Sequence, residues 1–479
     1  MKPKRALLLL VATFLLAQAG AQDVSLDKKL GAENAVLVEQ EMGIYHHDSL
    51  YRLVNAVGKK LVSRLKNNQF EFQFFLVDSP VPNAFALPGG YIYVTRGILP
   101  IINTEDELAG VMAHEIIHVM QRHSVKQMKK SVFTSILKVP GNLLNAVTGT
   151  HIGNILNAPI DLTTSAFISK YSRGHESQAD EFGIQLAASA GYKTDALADA
   201  LERLSKNIAL LTGEAEQKSY FSDHPYTPSR VTKVRSSAAI YKPVNPSPVT
   251  RSAKDFLGKF NGLCYGLNPE QGMFKDSLFI HADMGFTWLT PPQWQTVNKP
   301  TIVAAYPEKG DAIVAMRFID EKKSIHEIGE EIKNKAKSQE GITIEQAGDT
   351  TINSFPAYLI RLKSQDKDQA MICEFVVLKF KNRVVQVIGI GSPTLKKEIH
   401  QSVCGFRLAN REETQSLKLF ELEIATAKGN ETIEKLTERM GNKLNPAMTA
   451  VINNKTDKVQ FKEGEQVKIV KITPYQPKQ

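Results

Sequence analysis

Residues 104–130 constrain this chain more than any other stretch, because they read as one helix and put two imidazoles on one face of it. Thr104-Glu105-Asp106-Glu107 has the form of a capping box, with Thr104 as the cap and Glu107 reaching back to it. Leu108, Val111, Met112, Ile116, Val119 and Met120 follow at helical spacing. Arg122, His123, Lys126, Lys129 and Lys130 then place positive charge at the end that the helix dipole favours. Inside the run lies His114-Glu115-Ile116-Ile117-His118. Residues four apart stack on one helix face, so His114 and His118 can both reach one zinc ion. Glu115 lies beside that face, where it can take a proton from a water activated by the metal. Without a metal, the same residues make a buried helix with two hydrogen-bonded core histidines.

A catalytic zinc site needs a third protein ligand and one open position. Cys264 is the first cysteine, so thiolates are remote, and the best candidate is Glu176 in the segment Ser172–Asp180. That segment heads a second helix through Phe182, Ile184, Leu186, Ala187 and Ala188, stopping at Gly191. Glu176 and Asp180 share a helix face, and Asp180 is suited to hold the free ring nitrogen of a ligand histidine. Alone, that pair would read as a solvated helix face.

His114-Glu115-Ile116-Ile117-His118-Val119-Met120-Gln121-Arg122-His123, followed by Ser172-Arg173 and then Glu176, Ala179 and Asp180, resembles the zinc metalloendopeptidases of the HtpX and CAAX-prenyl-protease type, peptidase family 48. Asn83–Val94 is similar to that family's active-site edge strand, and His224-Pro225 with Arg230 to its downstream His-Pro…Arg element. The motifs occur in order over roughly residues 40–240, and the layout is most similar to the periplasmic, BepA-like branch. The resemblance implies a mainly α-helical zincin domain of the gluzincin type with a small edge β-sheet. It implies zinc as cofactor, His114, His118 and Glu176 as its ligands, Glu115 as general base and Asp180 as support for a ligand. It also implies that Asn83, Ala84, Phe85 and Ala86 offer an edge to which an extended substrate adds. Such addition works through backbone hydrogen bonds and tolerates many sequences, which suits a protease for damaged proteins. Read by itself the stretch is a hairpin turning at Pro88-Gly89-Gly90, and the two readings are compatible. His224 either stabilises the oxyanion or fills the open zinc position as an autoinhibitory ligand, and Arg230 supports substrate or transition-state charge. The alternative is a surface loop punctuated by Pro225.

The expected activity is therefore hydrolysis of misfolded or misassembled envelope proteins by a secreted zinc metalloendopeptidase. The rival from another class is an envelope chaperone or assembly scaffold with a structural or silenced zinc site. Glu115 favours the enzyme, since a purely structural site needs no base there. Expected partners are unfolded proteins, outer-membrane assembly machinery and, through the C-terminal module, peptidoglycan.

Met1-Lys2-Pro3-Lys4-Arg5 and the apolar run Ala6–Ala19 read as a signal peptide over residues 1–21, which predicts export to the periplasm. No internal stretch reads as a membrane span. The formal charge is +9, and Lys2, Lys4 and Arg5 leave with the signal, so the remainder carries +6. That excess is dispersed and no nucleic-acid motif accompanies it; mild attraction to an anionic membrane is all it implies. Cys264, Cys373 and Cys404 follow the protease region, and an oxidising compartment allows them one disulfide.

A chain of 479 residues holds about three domains. The protease domain spans 22–242, with residues 131–171 a long connection that reads either as a lid or as a packing hairpin. Residues 243–252, with Pro243, Pro246 and Pro248, read as a linker. Residues 253–410 form an α+β domain: strands at 301–306 and 311–319, a helix at 324–337, strands near 355–363, 371–379 and 383–390, and a helix around 394–402. Its Gly285-Phe286, Pro291-Pro292 and Trp294 opening is similar to PsbP- or Mog1-like domains, and its expected role is binding, with His281, Asp283 and Trp294 structural. Residues 418–473 are similar to a βααβ LysM module. That similarity implies glycan binding, yet Lys and Asn stand where aromatic rings would help, so docking is an equal reading.

Overall fold

Two helices, α1 (Ser25–Met42) and α2 (Asp48–Val62), lead into a sheet of β1 (Gln73–Val77), β2 (Ala84–Leu87) and β3 (Tyr91–Thr95). The computed structural model describes residues 24–126, 171–212, 224, 228–319, 322–364 and 370–478. The expected signal peptide and the 131–170 part of the long connection lie outside the described residues. Leu50, Leu53, Val54, Val57 and Leu61 give α2 a buried stripe at helical spacing. In the sheet β3 is central, parallel to β1 and antiparallel to β2, so β2 forms an edge among the described residues. The turn between β2 and β3 uses Gly89 and Gly90 at φ 84° and 113°, values open to glycine but strained for other residues.

Helix α3 (Glu105–Met120) begins where expected, with the Thr104 hydroxyl accepting the Glu107 amide at 3.1 Å. The reciprocal half of the capping box does not form. The Glu107 carboxylate accepts the Asn103 amide instead, at 2.7 Å, and pairs with Arg203. Every residue from Leu108 to Val119 is buried, so α3 is a core helix rather than a two-faced one. It also stops earlier than its charge pattern predicts. Arg122 turns left-handed at φ 56°, and its guanidinium grips Asp27 of α1 at 3.0 and 2.5 Å rather than serving the helix dipole.

Helices α4 (Arg173–Ser189), α5 (Ala196–Thr212) and α6 (Pro228–Ala238) complete the layer around α3. α4 lies almost in backbone contact with α3: a Cβ on Gly183 would stand 3.2 Å from the His114 Cα. The proline-rich segment after α6 lies as a strap along the helices. Val244 N–H donates to Ala188 O, and the amides of Val249 and Thr250 donate to Glu105 at 2.7 and 2.8 Å. Phe256 of α7 (Ala253–Gly258) and Phe260, Leu263 and Cys264 after it join the same hydrophobic core as α2, α3 and α5.

After β4 (Leu263–Cys264) come β5 (Met273–Lys275), β6 (Leu278–His281) and β7 (Phe286–Leu289). A seven-stranded antiparallel sheet follows, from β8 (Gln295–Lys299), β9 (Ile302–Tyr306), β10 (Ile313–Ile319), β11 (Ile342–Ile352), β12 (Phe355–Ser364), β13 (Ile372–Phe380) and β14 (Arg383–Gly391). Its order is β11-β12-β13-β14-β10-β9-β8. Side chains alternate across it. Tyr358, Ile360, Phe375 and Val377 pack on Ile328, Ile332 and Ala336 of α8 (Ile325–Lys337). Leu359, Val376, Leu378 and Val385 face Ile399 and Val403 of α9 (Lys396–Val403), together with Trp288 and with Phe406 of β15 (Phe406–Leu408). Trp288 Nε1 donates to Ser402 O at 2.8 Å, which locks β7 to α9.

The side chains expected to be structural here are so. Asp283 accepts the Tyr475 hydroxyl at 2.8 Å, Trp294 packs on the sheet, and His281 Nδ1 accepts the Met284 amide at 3.4 Å. Burial pushes His281 down to about 4, with Asp283 opposing that shift and Lys381 adding to it. The unfolded chain takes up a proton near 6.5 that folded His281 refuses until about 4. Stability should therefore fall as pH drops through that window, and His281→Gln should flatten the dependence in melts at pH 7 and pH 4.5. Equal slopes for the two proteins would refute this.

The chain ends in β16 (Lys418–Thr426), α10 (Ile433–Met440), α11 (Pro446–Ile452) and β17 (Gln466–Pro474). β16 and β17 pair antiparallel from Lys418↔Pro474 to Thr426↔Gln466, and β4 adds a third strand through Leu422↔Leu263. This module is fastened to the first domain. Lys468, only 1% exposed, donates to Pro100 O and Ile102 O at 2.6 and 2.8 Å, and Asn103 Nδ2 donates to Ile452 O at 3.0 Å. The one disulfide that the cysteines would allow is not formed: Cys264, Cys373 and Cys404 are free thiols, because they sit in separate packing environments. Burial pushes the Cys264 thiol up to about 12 and Cys404 up to about 11, so both are protonated and inert at neutral pH. Among the described residues, no helix is long and apolar enough to cross a membrane.

Candidate metal centre

α3 and α4 together build the site. One turn of α3 carries His114 and His118 on the face turned to α4, and the first turn of α4, capped by Ser172, carries Glu176 toward them. The close approach at Gly183 sets the distance between the two helices. His224 comes from a separate part of the chain. Ligand atoms of His114, His118, Glu176 and His224 all lie within 4.8 Å of one another.

The contacts are short. His114 Nε2 stands 2.9 Å from His118 Nε2 and 3.3 Å from His224 Nδ1. Glu176 Oε1 is 3.3 Å from His118 Nε2 and 3.0 Å from His224 Nδ1. Donors around a tetrahedral zinc ion stand about 3.3 Å apart, given zinc–nitrogen bonds of about 2.0–2.1 Å. The observed separations bracket that value, and imidazole nitrogens with one carboxylate oxygen are donors that zinc accepts. The residues present therefore fit the metal that the sequence implies.

Glu115 is fully buried on the same helix, its Oε1 3.5 Å from His224 Nε2. Asp180, one turn after Glu176, places Oδ1 2.9 Å from His114 Nδ1. Arg230, expected to meet substrate charge, is committed elsewhere in this structure. Its Nε and one terminal nitrogen donate to Asp180 at 2.8 Å each, and its other terminal nitrogen stands 2.7 Å from Glu176. The sequence does not show this clamp, because Arg230 and the carboxylates it holds lie on different helices.

At His114, His118 and Glu176 the electrostatics favour metal binding. Burial pushes His114 down and His118 well down, so each ring is neutral and keeps one unprotonated nitrogen. Burial alone would raise Glu176 and Asp180, but His224 and Arg230 hold Glu176 well below the usual carboxylate range, and Arg230 lowers Asp180. Burial would lower His224, yet the charges of Glu176 and Glu115 carry it up to about 9.

The strand residues stand differently. Asn83 is buried, its amide donating to Thr95 Oγ1 at 2.9 Å and its carbonyl accepting the Thr95 amide at 3.0 Å. Ala84, Phe85 and Ala86 are buried too, with Phe85 stacked on Tyr93 at 4.9 Å. β2 is thus an edge in the strand order among the described residues, but none of these four residues is open to solvent in this structure.

The sequence reading missed three residues around His118. His123, counted there only as a positive charge near the helix end, is fully buried, with Nδ1 3.0 Å from His118 Nδ1. Its Nε2 is 2.9 Å from Gln178 Oε1 of α4. Tyr171 stacks on the His118 ring at 3.8 Å. Burial and neighbouring His175 push His123 down to about 4, against the Gln178 hydrogen bond. The position of His123, five residues after His118, was the available signal.

Comparison with known proteins places these residues among relatives. The model of Peptidase family M48 matches residues 49–238. Over 205 residues the chain is 32% identical to the putative beta-barrel assembly-enhancing protease of Vibrio cholerae serotype O1, covering 42% of this chain and 41% of the relative. Over 219 residues it is 30% identical to the mitochondrial metalloendopeptidase OMA1 of Schizosaccharomyces pombe, covering 44% and 61%. The chain spans about half the length of the curated relatives it matches. Among solved structures it is similar to cyanobacterial PsbP (CyanoP) from Synechocystis, at 12% identity over 29% of this chain and 95% of that one, with a TM-score of 0.22.

Proposed function

Residues 49–238 are a domain of peptidase family M48, and on that premise we propose that the chain is a zinc-dependent endopeptidase that hydrolyses misfolded or misassembled proteins of the bacterial envelope. The observation that carries this reading is the buried cluster of His114, His118, Glu176 and His224 with Glu115 beside it. His114, His118 and Glu176 would hold the ion. Zinc, when bound there, supplies Lewis acidity that polarises the scissile carbonyl and makes water acidic enough to attack at neutral pH. Glu115 takes the proton of the attacking water and returns it to the departing amine. Asp180 holds the His114 ring through Nδ1, and Arg230 holds Asp180 and Glu176 in place. An extended substrate would add to the edge strand β2, at Asn83, Ala84, Phe85 and Ala86, by backbone hydrogen bonds once that buried edge is uncovered.

His224 has two candidate duties, and its geometry favours one. Its Nδ1 points into the same volume as the ligand atoms of His114 and Glu176, at 3.3 and 3.0 Å. We read it as occupying the fourth position at rest, where the ion would displace the proton that Glu176 and Glu115 otherwise hold on it, so that substrate entry requires its displacement. In this reading the chain is exported to the periplasm, and the C-terminal βααβ module serves docking, to the first domain and to outer-membrane assembly machinery or peptidoglycan.

Removal of the metal tests the proposal. The chain without residues 1–21, dialysed against chelator, should stop cleaving unfolded casein, and about one equivalent of zinc should restore cleavage. A rate unchanged by metal removal would refute it. If suppression of aggregation were the only metal-independent activity found, the scaffold reading would gain.

A further inference from the structure

We propose that His123 and Gln178 form a neutral relay that fixes His118 in the one tautomer able to ligate the metal, an inference that rests on the zinc reading above. His118 turns Nε2 toward the donor cluster, 3.3 Å from Glu176 Oε1, and Nδ1 away from it. To ligate through Nε2 it must carry its proton on Nδ1. The partner of that proton is a second imidazole, His123 Nδ1 at 3.0 Å, and two facing ring nitrogens can share only one hydrogen. Which ring carries it is decided one bond further on. Gln178 Oε1 lies 2.9 Å from His123 Nε2. An amide oxygen there accepts, so His123 is protonated on Nε2, bare on Nδ1, and takes the hydrogen bond from His118. The chain of bonds runs in one sense only, from His118 N–H to His123 and from His123 N–H to Gln178.

Reversing the Gln178 amide reverses everything. His123 would then accept at Nε2 and donate from Nδ1, and the proton of His118 would sit on Nε2, where it blocks ligation. The surroundings hold the rings in the productive arrangement. Tyr171 lies over His118 at 3.8 Å, 26° from parallel, and its hydroxyl meets Ser124 Oγ at 2.8 Å. His175 stacks on His123 at 4.3 Å and 11°. The two ligand histidines are thus positioned by different chemistry: His114 by the charged Asp180–Arg230 pair, His118 by groups without formal charge.

The test is zinc affinity, measured by chelator competition on the full chain. His123→Phe fills the ring's space but accepts no proton, and should weaken zinc binding about 10–100-fold. Gln178→Leu should weaken it in the same direction, whereas Gln178→Glu, which can only accept, should keep wild-type affinity or exceed it. Nitrogen-15 spectra of the zinc-loaded wild type should show His118 protonated at Nδ1 and His123 at Nε2. The proposal is overturned if both His123→Phe and Gln178→Leu bind zinc within about twofold of wild type, or if His123 carries its proton on Nδ1. Should His123→Phe fail to fold, the Gln178 pair and the spectra decide between these outcomes. A wild-type chain that takes up no zinc would sink the underlying zinc reading first; unchanged uptake by the variants sinks the relay alone.

Discussion

Glu115→Gln should slow casein hydrolysis by about 10²–10⁴-fold while leaving zinc bound. The substitution keeps shape and volume at a position with no solvent exposure, so it opens no cavity. It removes only the ability to hold a proton between attack and departure of the amine. The atoms that would bind zinc, on His114, His118 and Glu176, are untouched. Single-turnover cleavage and metal content should therefore separate cleanly: activity lost, about one zinc per chain retained. A variant with full proteolysis would remove Glu115 from the mechanism, and one with neither activity nor zinc would show that Glu115 serves the metal rather than the water. Glu115→Asp refines the result. It keeps the base but shortens its reach by one methylene, and should recover part of the rate if proton transfer is its task.

Much of the chain is legible wherever local chemistry and tertiary need agree. Thr104 caps α3 because a hydroxyl before an acidic first turn does so in most settings, and α4 ends near Gly191, which sits left-handed at φ 83°. The strands β9, β10, β12, β13 and β14 and helices α8 and α9 fall within one or two residues of the sequence reading, because apolar runs and amphipathic spacing mark them. β11 was not legible. Ile342–Ile352 reads Ile-Thr-Ile-Glu-Gln-Ala-Gly-Asp-Thr-Thr-Ile, a largely exposed edge strand with a register break near Glu345, and it owes its existence to pairing with β12. Nor was the fate of Glu107, whose side chain prefers a guanidinium 96 residues away to the cap beside it. At the site, the sequence contains each ligand type at its spacing, but the convergence of His224 with His114 and Glu176, the Arg230 clamp and the His123–Gln178 bonds depend on how helices cross. No periodicity records that.

The buried pair Glu107–Arg203 should be the costliest structural contact to break. Arg203 donates to both Glu107 carboxylate oxygens at 2.6 and 3.0 Å, with both side chains at most 5% exposed. The same guanidinium donates to Ile101 O at 2.8 Å, while Lys468 of the C-terminal module takes the flanking carbonyls of Pro100 and Ile102. Three consecutive carbonyls before the metal-site helix are thus held by two basic side chains, and Glu107 is the carboxylate near both. Arg203→Met would leave the buried Glu107 carboxylate without its guanidinium, with only the Asn103 amide bonded to it, at a cost of about 3–5 kcal/mol. Glu107→Leu should cost at least as much, because it strands Arg203 beside Lys468; burial already pushes Lys468 well down, Arg203 adds to that, and only Glu107 opposes it. The double variant replaces both charges with apolar side chains, so it should be more stable than the sum of the single losses predicts, by about 1–3 kcal/mol of coupling. Urea unfolding of the four proteins closes the cycle. Strict additivity would mean that the pair is not an interacting unit. Coupling accompanied by earlier proteolytic release of residues 418–474 in both single variants would show that the ion pair also holds the C-terminal module against the entrance of α3.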